Sequence, residues 1–200
     1  MPCSGKFEKQ AMAAGFRCIA GVDEVGRGAL FGPVVAAAVV LNPDDRIRGL
    51  NDSKLLTPDE REVLSRRIRA RALAWAVAAQ DAAVIDTVNI LQASRRAMVM
   101  ALEALSLQPD YILVDAVTLD WQGPQQAIIH GDALSISIAA ASIVAKVYRD
   151  DLVSRWDGVF PAYQLASNKG YGVPDHLAAL DRHGPSPLHR RSFAPVLKQQ

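Results

Sequence analysis

Apolar runs separated by polar turns predict strands in this chain. Arg17 to Val25 and Phe31 to Leu41 form the first two, and the second shows no polar alternation, which is typical of a strand that is buried on both faces. The short link between them predicts an antiparallel pair. Further strands are predicted at Ala72 to Ala82, Tyr111 to Val114 and Gln126 to His130.

Helix signals lie between these strands. Thr57-Pro58-Asp59-Glu60 combines a cap, a proline at the first helical position and a capping box, and we interpret the basic run that follows, Arg61 to Arg71, as a solvated helix face. Apolar residues at helical spacing predict a helix from Asp86 or Asn89 through Leu105. The remaining predictions are helices at Ala133 to Asp157 and Pro174 to His183, with a loop from Phe160 to Gly172 between them.

This alternation of strands and helices predicts the α/β class. With 200 residues, 50% hydrophobic and 22% charged, the chain fits one globular domain, 1–200, with a C-terminal part from about residue 156 to 200. A net charge of +1 gives no compositional evidence for a nucleic-acid partner, so any basic surface has to be local.

The sequence gives a few indications of the cellular location of the protein. Two cysteines, Cys3 and Cys18, indicate a reducing compartment, and Met1 to Phe16 contains no continuous apolar segment of the kind found in secretory signals. The longest apolar runs are far shorter than the roughly 20 residues of a membrane helix. We therefore expect a cytoplasmic protein without a membrane partner.

Four acids, Asp23, Glu24, Asp115 and Asp132, each end or follow an apolar strand. Sites in α/β proteins lie beyond strand C-termini, and a cluster of oxygen ligands favours Mg²⁺ or Mn²⁺ over zinc. The alternative for one such aspartate is a turn or a helix cap, as for Asp132, which precedes a helix. Asp23 and Glu24 would also point to opposite faces unless their strand bulges or ends there.

The segment Gly21 to Gly28 resembles the Asp-Glu-x-Gly-Arg-Gly signature of type 2 ribonucleases H, specifically bacterial ribonuclease HII. The resemblance covers roughly Ala20 to Pro195. Its other matches are Asn51-Asp52-Ser53-Lys54, Asp115, Gly131-Asp132, Ala139 to Asp150, Lys169-Gly170-Tyr171-Gly172 and His189-Arg190-Arg191-Ser192-Phe193. It implies a ribonuclease H-like fold: a central mixed five-stranded sheet, three strands antiparallel and two parallel, flanked by helices, with a small helical C-terminal part.

The resemblance also implies chemistry. Asp23, Glu24, Asp115 and Asp132 would be the catalytic acids and would bind two divalent ions, Mn²⁺ or Mg²⁺. The implied reaction is endonucleolytic hydrolysis of RNA in RNA–DNA hybrids, and cleavage 5′ of a single ribonucleotide embedded in duplex DNA, leaving a 3′-hydroxyl and a 5′-phosphate. Two ions can activate water and stabilise the leaving oxygen.

Residues expected to bind substrate follow from the same matches. The backbone of Gly26-Arg27-Gly28 would approach the 2′-hydroxyl that distinguishes RNA from DNA, and Tyr171 would pack on the deoxyribose after the ribonucleotide. The expected phosphate and strand contacts are Ser53, Lys54, Ser142, Lys146 and Arg149. Two positions depart from the family pattern, Ala116 in place of glycine and Val173 in place of a threonine that could cap a helix.

Three alternatives stay open at this point: a non-catalytic hybrid-binding protein, a related nuclease such as a junction resolvase or a type HIII enzyme, and a Mg²⁺-dependent phosphohydrolase of small molecules. Barely twenty residues precede the first acid, which disfavours the type HIII enzyme with its extra N-terminal domain. We expect a monomer and see no clear sliding-clamp motif in Val196 to Gln200. We assign no role to His183 or His189, and interpret Trp75, Trp121 and Trp156 as core or rim residues.

Overall fold

A computed structural model describes residues 3–198 of the chain. Its sheet has the order β3-β2-β1-β4-β5, in which β2 pairs antiparallel with both β1 and β3, while β4 pairs parallel with both β1 and β5. This confirms the predicted mixed sheet of three antiparallel and two parallel strands. The strands are β1 (Ile19–Val25), β2 (Val34–Val40), β3 (Ala74–Gln80), β4 (Tyr111–Asp115) and β5 (Gln125–Ile128).

Helices surround this sheet, and short 3₁₀ turns occupy Ser53–Leu55, Trp156–Gly158 and Pro161–Tyr163. None of the helices in the described residues is long and apolar enough to cross a membrane. The helices are α1 (Lys6–Ala13), α2 (Pro58–Arg71), α3 (Ala82–Val88), α4 (Ile90–Glu103), α5 (Gly131–Leu134), α6 (Ile136–Arg155), α7 (Leu165–Asn168), α8 (Pro174–His183) and α9 (Ala194–Leu197).

Helices α4 and α6 cover opposite faces of the sheet. Alternate residues of β2 divide between them, because Ala36 and Ala38 pack in the α4 core while Val35, Ala37 and Val39 pack in the α6 core. Helix α6 lies so close to β1 that a Cβ atom on Gly21 would stand 2.0 Å from the Ser137 carbonyl carbon. Small residues at this contact therefore place α6 directly against the strand that carries Asp23 and Glu24.

Two helix predictions need correction. The predicted helix from Asp86 or Asn89 is α4, which Asn89 caps, but an additional helix, α3, precedes it and is capped by Asp81. The predicted single helix from Ala133 is divided at Ser135, whose extended backbone and side-chain bond to the Ile138 amide start α6 anew. In both cases a short polar side chain competes for backbone amides and ends the continuous helical pattern.

The other helix ends follow their sequence signals. Thr57 and Glu60 form the predicted capping box at the start of α2. Val173 precedes α8 without a side-chain cap, as its apolar side chain requires. The predicted loop from Phe160 to Gly172 contains the short helix α7, and the helix α1 was not predicted.

The C-terminal part packs on the loop between β1 and β2. Phe31 in that loop is fully buried and contacts the rings of Trp156, Phe160 and His189. Leu30 joins the same cluster with Tyr163 and residues of α7 and α8. The glycine-rich segment of the loop is therefore fixed between the sheet and the C-terminal helices.

Candidate active site

The four predicted acids meet at one edge of the sheet, where β1, β4 and β5 end. Strands β1 and β4 pair in parallel through Val22 and Val114, so the next residues, Asp23 and Asp115, stand side by side on neighbouring strands. Neighbouring strands lie about 4.8 Å apart. Asp132 follows β5 in α5, at the same edge. The fold thus brings together acids that are up to 109 positions apart, since 132 − 23 = 109.

Asp23 and Glu24 reach this edge because β1 ends there, and no bulge is involved. Pairing with β2 continues without interruption through Val25, opposite Val35, and then stops at Gly26, whose φ is 90°. Asp23 is buried and accepts a 2.7 Å hydrogen bond from the Glu24 amide. Glu24 bonds Arg27, with 3.0 Å between Oε1 and Nη1.

Asp115 is held by the start of α5. Its Oδ1 accepts a 2.7 Å bond from the amide of Gly131. A Cβ atom at Gly131 would lie 3.2 Å from that oxygen and 2.6 Å from Ile138, so glycine is needed for this approach. Ala116 has a φ of 54°, which explains why glycine suits this position and shows that alanine is accommodated at a small strain.

Asp132 is an ion-pair partner and not a helix cap. The capping position of α5 is His130, and Asp132 lies within the helix. Its Oδ2 accepts a 2.9 Å bond from Lys54 Nζ, although the Lys54 side chain is 78% exposed. Arg61 donates to the carbonyls of Ser53 and Leu56, at 2.8 and 2.6 Å, and so fixes the turn that carries Lys54.

Electrostatics link the acids. Burial, and then repulsion from Glu24 and Asp115, holds the pKa of Asp23 well above its usual range. Burial raises the pKa of Glu24 in spite of the opposing effect of Arg27, and burial with repulsion from Asp132 raises the pKa of Asp115. The site therefore concentrates negative charge that protein cations neutralise only in part.

These residues fit a hard divalent cation chemically. All the donors are carboxylate oxygens, and Oε2 of Glu24 is buried without a hydrogen-bond partner. Within residues 3–198, however, no three acidic, imidazole or thiol groups are arranged to ligate a common ion. Two of the four carboxylates are instead paired with cations, Glu24 with Arg27 and Asp132 with Lys54.

The Gly26-Arg27-Gly28 segment runs beside this edge. A Cβ atom at Gly26 would stand 2.1 Å from Arg149 Nε, whereas one at Gly28 would meet nothing within 4 Å. Gly26 therefore packs inward and Gly28 faces open space. An antiparallel bridge between Ala29 and Tyr171 joins the segment to the C-terminal part.

Tyr171 is half-buried at the same groove. The Lys146 ammonium and the Arg149 guanidinium lie 5.6 and 5.3 Å from its ring centre, within cation–π range. The Tyr171 carbonyl is bonded to the ring of His176 at 2.9 Å. The tyrosine loop and the glycine segment thus form one continuous surface next to the acids.

The structure corrects the predicted phosphate contact of Arg149. Its guanidinium is fully buried and donates to three backbone carbonyls, of Phe31, Pro33 and Lys169, so no phosphate can reach it. Ser53 and Ser142 are also buried, with their hydroxyl oxygens 3.0 Å apart, and Ser142 bonds Asp23. Lys146 pairs with Asp150 and, with Lys54, lies closer to solvent.

Three residues at the site had no role in the sequence-based prediction. Arg190 is fully buried and bonds the carbonyls of Arg27 and Gly32, each at 2.9 Å. His176 and His189 form a buried pair, with 3.0 Å between their Nε2 atoms. The match of the His189-Arg190 segment to the family motif was the sequence signal for these residues. A charged residue in a basic tail gives no sequence indication that it is buried.

A cavity of about 470 Å³ lies between α1 and residues 41–51, and none of the four acids lines it. Its lining includes the apolar residues Ile19, Leu41 and Ile136 and the basic residues Arg46 and Arg48.

Comparison with known proteins gives a consistent picture. The family model described as Ribonuclease HII matches residues 20–196. A Ribonuclease HII of Koribacter versatilis is 60% identical over 196 residues, which cover 98% of this chain and 77% of that protein.

Solved structures agree. The crystal structure of the ribonuclease H2 from Pyrococcus horikoshii OT3 superimposes with a TM-score of 0.78 at 28% identity, over 91% of this chain and 96% of that chain. The structure of the PCNA:RNase HII complex from Archaeoglobus fulgidus superimposes with a TM-score of 0.72 at 26% identity, over 86% of this chain and 92% of that chain. The predicted ribonuclease H-like fold is confirmed.

Proposed function

The chain belongs to the ribonuclease HII family, and from this premise we propose that it cuts 5′ of single ribonucleotides embedded in duplex DNA and hydrolyses the RNA strand of RNA–DNA hybrids. Membership makes it an endonuclease of the ribonuclease H type, acting on RNA–DNA substrates. The proposal adds the cleavage position, the metal use and the residues, with products bearing a 3′-hydroxyl and a 5′-phosphate.

One observation carries the proposal: Asp23 and Asp115 lie side by side at the ends of parallel strands, with Glu24 and Asp132 at the same edge. Burial and mutual repulsion disfavour the ionised carboxylates. Such an arrangement is costly for stability unless a cation compensates it. It therefore supports a catalytic role better than a structural one.

We propose that these four acids hold two divalent ions, Mg²⁺ or Mn²⁺. Such ions, when bound, activate water and stabilise the leaving oxygen of a phosphodiester. Glu24 and Asp132, which now pair with Arg27 and Lys54, would hold the ions in place of these cations. The released Lys54 ammonium, already highly exposed, then becomes available for a substrate phosphate.

Substrate selection falls to the groove beside the acids. The Gly26 to Gly28 backbone leaves room for a ribose, because no side chain covers Gly28. Tyr171 offers a ring face to the next sugar, and Lys146 lies next to that ring. Three buried residues support this surface without being exposed on it. Ser142 bonds both Asp23 and Ser53, and Arg149 bonds carbonyls of the loop after β1.

The proposed place of action is the cytoplasm, and the proposed state is a monomer with a single catalytic domain spanning 1–200. No sliding-clamp partner is proposed. That prediction concerns Val196 to Gln200, of which the last two residues lie outside the described part of the chain. The archaeal relative solved with PCNA makes clamp binding the natural question to test by pull-down.

The decisive experiment uses a DNA duplex with one ribonucleotide. We expect a single cut 5′ of the ribonucleotide with Mg²⁺ or Mn²⁺, and none with EDTA or on an all-DNA duplex. Binding without cutting would favour the non-catalytic alternative. Metal-dependent hydrolysis of a small chromogenic phosphate ester, with the duplex intact, would favour the phosphohydrolase.

A further inference from the structure

Arg190 holds the glycine segment from inside the protein. Its guanidinium is fully buried, and Nη1 donates to the carbonyl of Arg27 while Nε donates to the carbonyl of Gly32, each at 2.9 Å. A flat guanidinium can bond two carbonyls at a fixed angle, which an ammonium cannot do. Arg190 therefore determines the direction in which the Arg27 carbonyl points.

Peptide planarity passes this direction on to Gly28. In a trans peptide the carbonyl of one residue and the N–H of the next point in opposite directions. Since the Arg27 carbonyl is directed inward to Arg190, the Gly28 N–H is directed outward. The described residues offer this N–H no hydrogen-bond acceptor, and the space above Gly28 is open.

We propose that Arg190 is a positioning residue for ribonucleotide selection, which it exerts by holding the Gly28 N–H outward, where it donates to the 2′-oxygen of the ribose. This inference rests on the proposed function and assigns part of its selectivity to a residue that does not touch the substrate. Arg190 does so at a cost, since its remaining nitrogen, Nη2, is buried without a partner.

Arg149 provides a matched control. It is equally buried and also bonds three carbonyls, those of Phe31, Pro33 and Lys169. Although it packs against Gly26 and the Tyr171 ring, it bonds no carbonyl of the Gly26-Arg27-Gly28 segment. Lysine at either position keeps the positive charge but loses the planar guanidinium that bonds two carbonyls at a fixed angle. A purely structural role predicts the same consequences for both substitutions.

The test measures binding in an Asp23→Asn background, so that the substrate stays intact. Affinities for a duplex with one ribonucleotide and for the same all-DNA duplex are compared by fluorescence anisotropy with Mn²⁺. We expect Arg190→Lys to reduce the preference for the ribonucleotide by roughly tenfold, the value of one hydrogen bond. Arg149→Lys should change both affinities in proportion and keep the preference.

A retained preference in the folded Arg190→Lys variant would overturn the inference and leave the proposed function intact. No preference in the Asp23→Asn parent would overturn both. If circular dichroism shows that Arg190→Lys does not fold, a second measurement tests the inference. It follows the NMR chemical shift of the Gly28 amide in the parent protein as each duplex binds. A shift on binding the ribonucleotide duplex alone supports the inference, and equal shifts with both duplexes refute it.

Discussion

At the scale of single residues, the burial of acidic groups at the proposed active site lowers the stability of the fold. Asp23 is surrounded by the Glu24 amide, Ser142 and two further carboxylates, and burial alone already disfavours its ionised form. A carboxyl group whose pKa is raised by folding destabilises the native state above the ordinary pKa of aspartate, near 4. Ala116, with its positive φ, adds a small backbone strain next to Asp115.

Asp23→Asn is expected to abolish turnover, by at least about a hundredfold, because a proposed metal ligand is lost. In EDTA its melting temperature should equal or exceed that of the wild type, since repulsion is relieved. Since folding raises the pKa of Asp23, the gain should be absent below about pH 4, the ordinary pKa of aspartate, and grow as the pH rises above it. Thermal unfolding from pH 4 to 8 measures it.

The matched control is Asp120→Asn, which changes an exposed carboxylate and should alter neither activity nor melting temperature. Full activity of Asp23→Asn would refute the assignment of Asp23. A lower melting temperature at pH 8 would refute the account of the repulsion.

At the scale of elements, α8 and the segment after it meet through a chain of hydrogen bonds. Ser186 N–H donates to His189 Nδ1, which makes that nitrogen the acceptor. His189 Nε2 then donates to His176 Nε2, and His176 Nδ1 donates to the Tyr171 carbonyl. Both imidazoles are neutral, and the tyrosine loop depends on their staying so.

Acid should weaken this connection. Burial, followed by repulsion from His176, lowers the pKa of His189 to about 3. Above pH 6.5, the usual pKa of histidine, the contribution to stability is complete, and it is lost as the pH falls towards 3, because only the unfolded state takes up the proton. Urea unfolding of wild type from pH 7 to 4 should show a loss approaching 1.4 kcal/mol per pH unit from this residue.

His189→Gln should remove that part of the slope, whatever its effect at pH 7. His183→Gln changes an exposed histidine of α8 and should leave the slope unaltered. An identical slope in wild type and His189→Gln would show that the buried pair does not govern acid stability.

At the scale of the whole molecule, the catalytic edge and the C-terminal part behave as one surface. Phe31 comes from the loop after β1 but is buried among Trp156, Phe160 and His189 of the C-terminal part. The Ala29–Tyr171 bridge and the bond from the Leu30 amide to the Gly170 carbonyl, at 2.8 Å, join the two loops directly. Tyr171 is thus held against the loop that follows Asp23 and Glu24.

Tyr171→Ala is expected to reduce kcat/KM on a duplex with one ribonucleotide by about tenfold, the loss of one ring contact. A long RNA–DNA hybrid offers many alternative registers and should be affected less. Steady-state kinetics on both substrates measure the difference. Tyr148→Ala removes an exposed tyrosine from α6 as a control, and equal losses on both substrates in Tyr171→Ala would contradict a junction-sensing role.

The sequence by itself determined the strands and the α2 capping box, while the mixed sheet and the roles of the four acids were expected from the motifs shared with the family. These follow from local apolar runs, from the chemistry of short polar side chains and from motifs in which neighbouring residues act together. The placement of Asp23 beside Asp115 could also be predicted from the sequence, because the C-terminal ends of parallel strands lie at one edge of the sheet.

Only the tertiary structure decided which cationic side chains near the acids are exposed and which are buried. Arg149 and Arg190 are indistinguishable from solvated arginines in the sequence, yet both are buried beneath the glycine segment. Burial of a charge depends on carbonyls supplied by distant segments, the loop at 27–33 and the turn at Lys169. A pattern of single residues cannot contain that information, because the compensation exists only once the chain has folded.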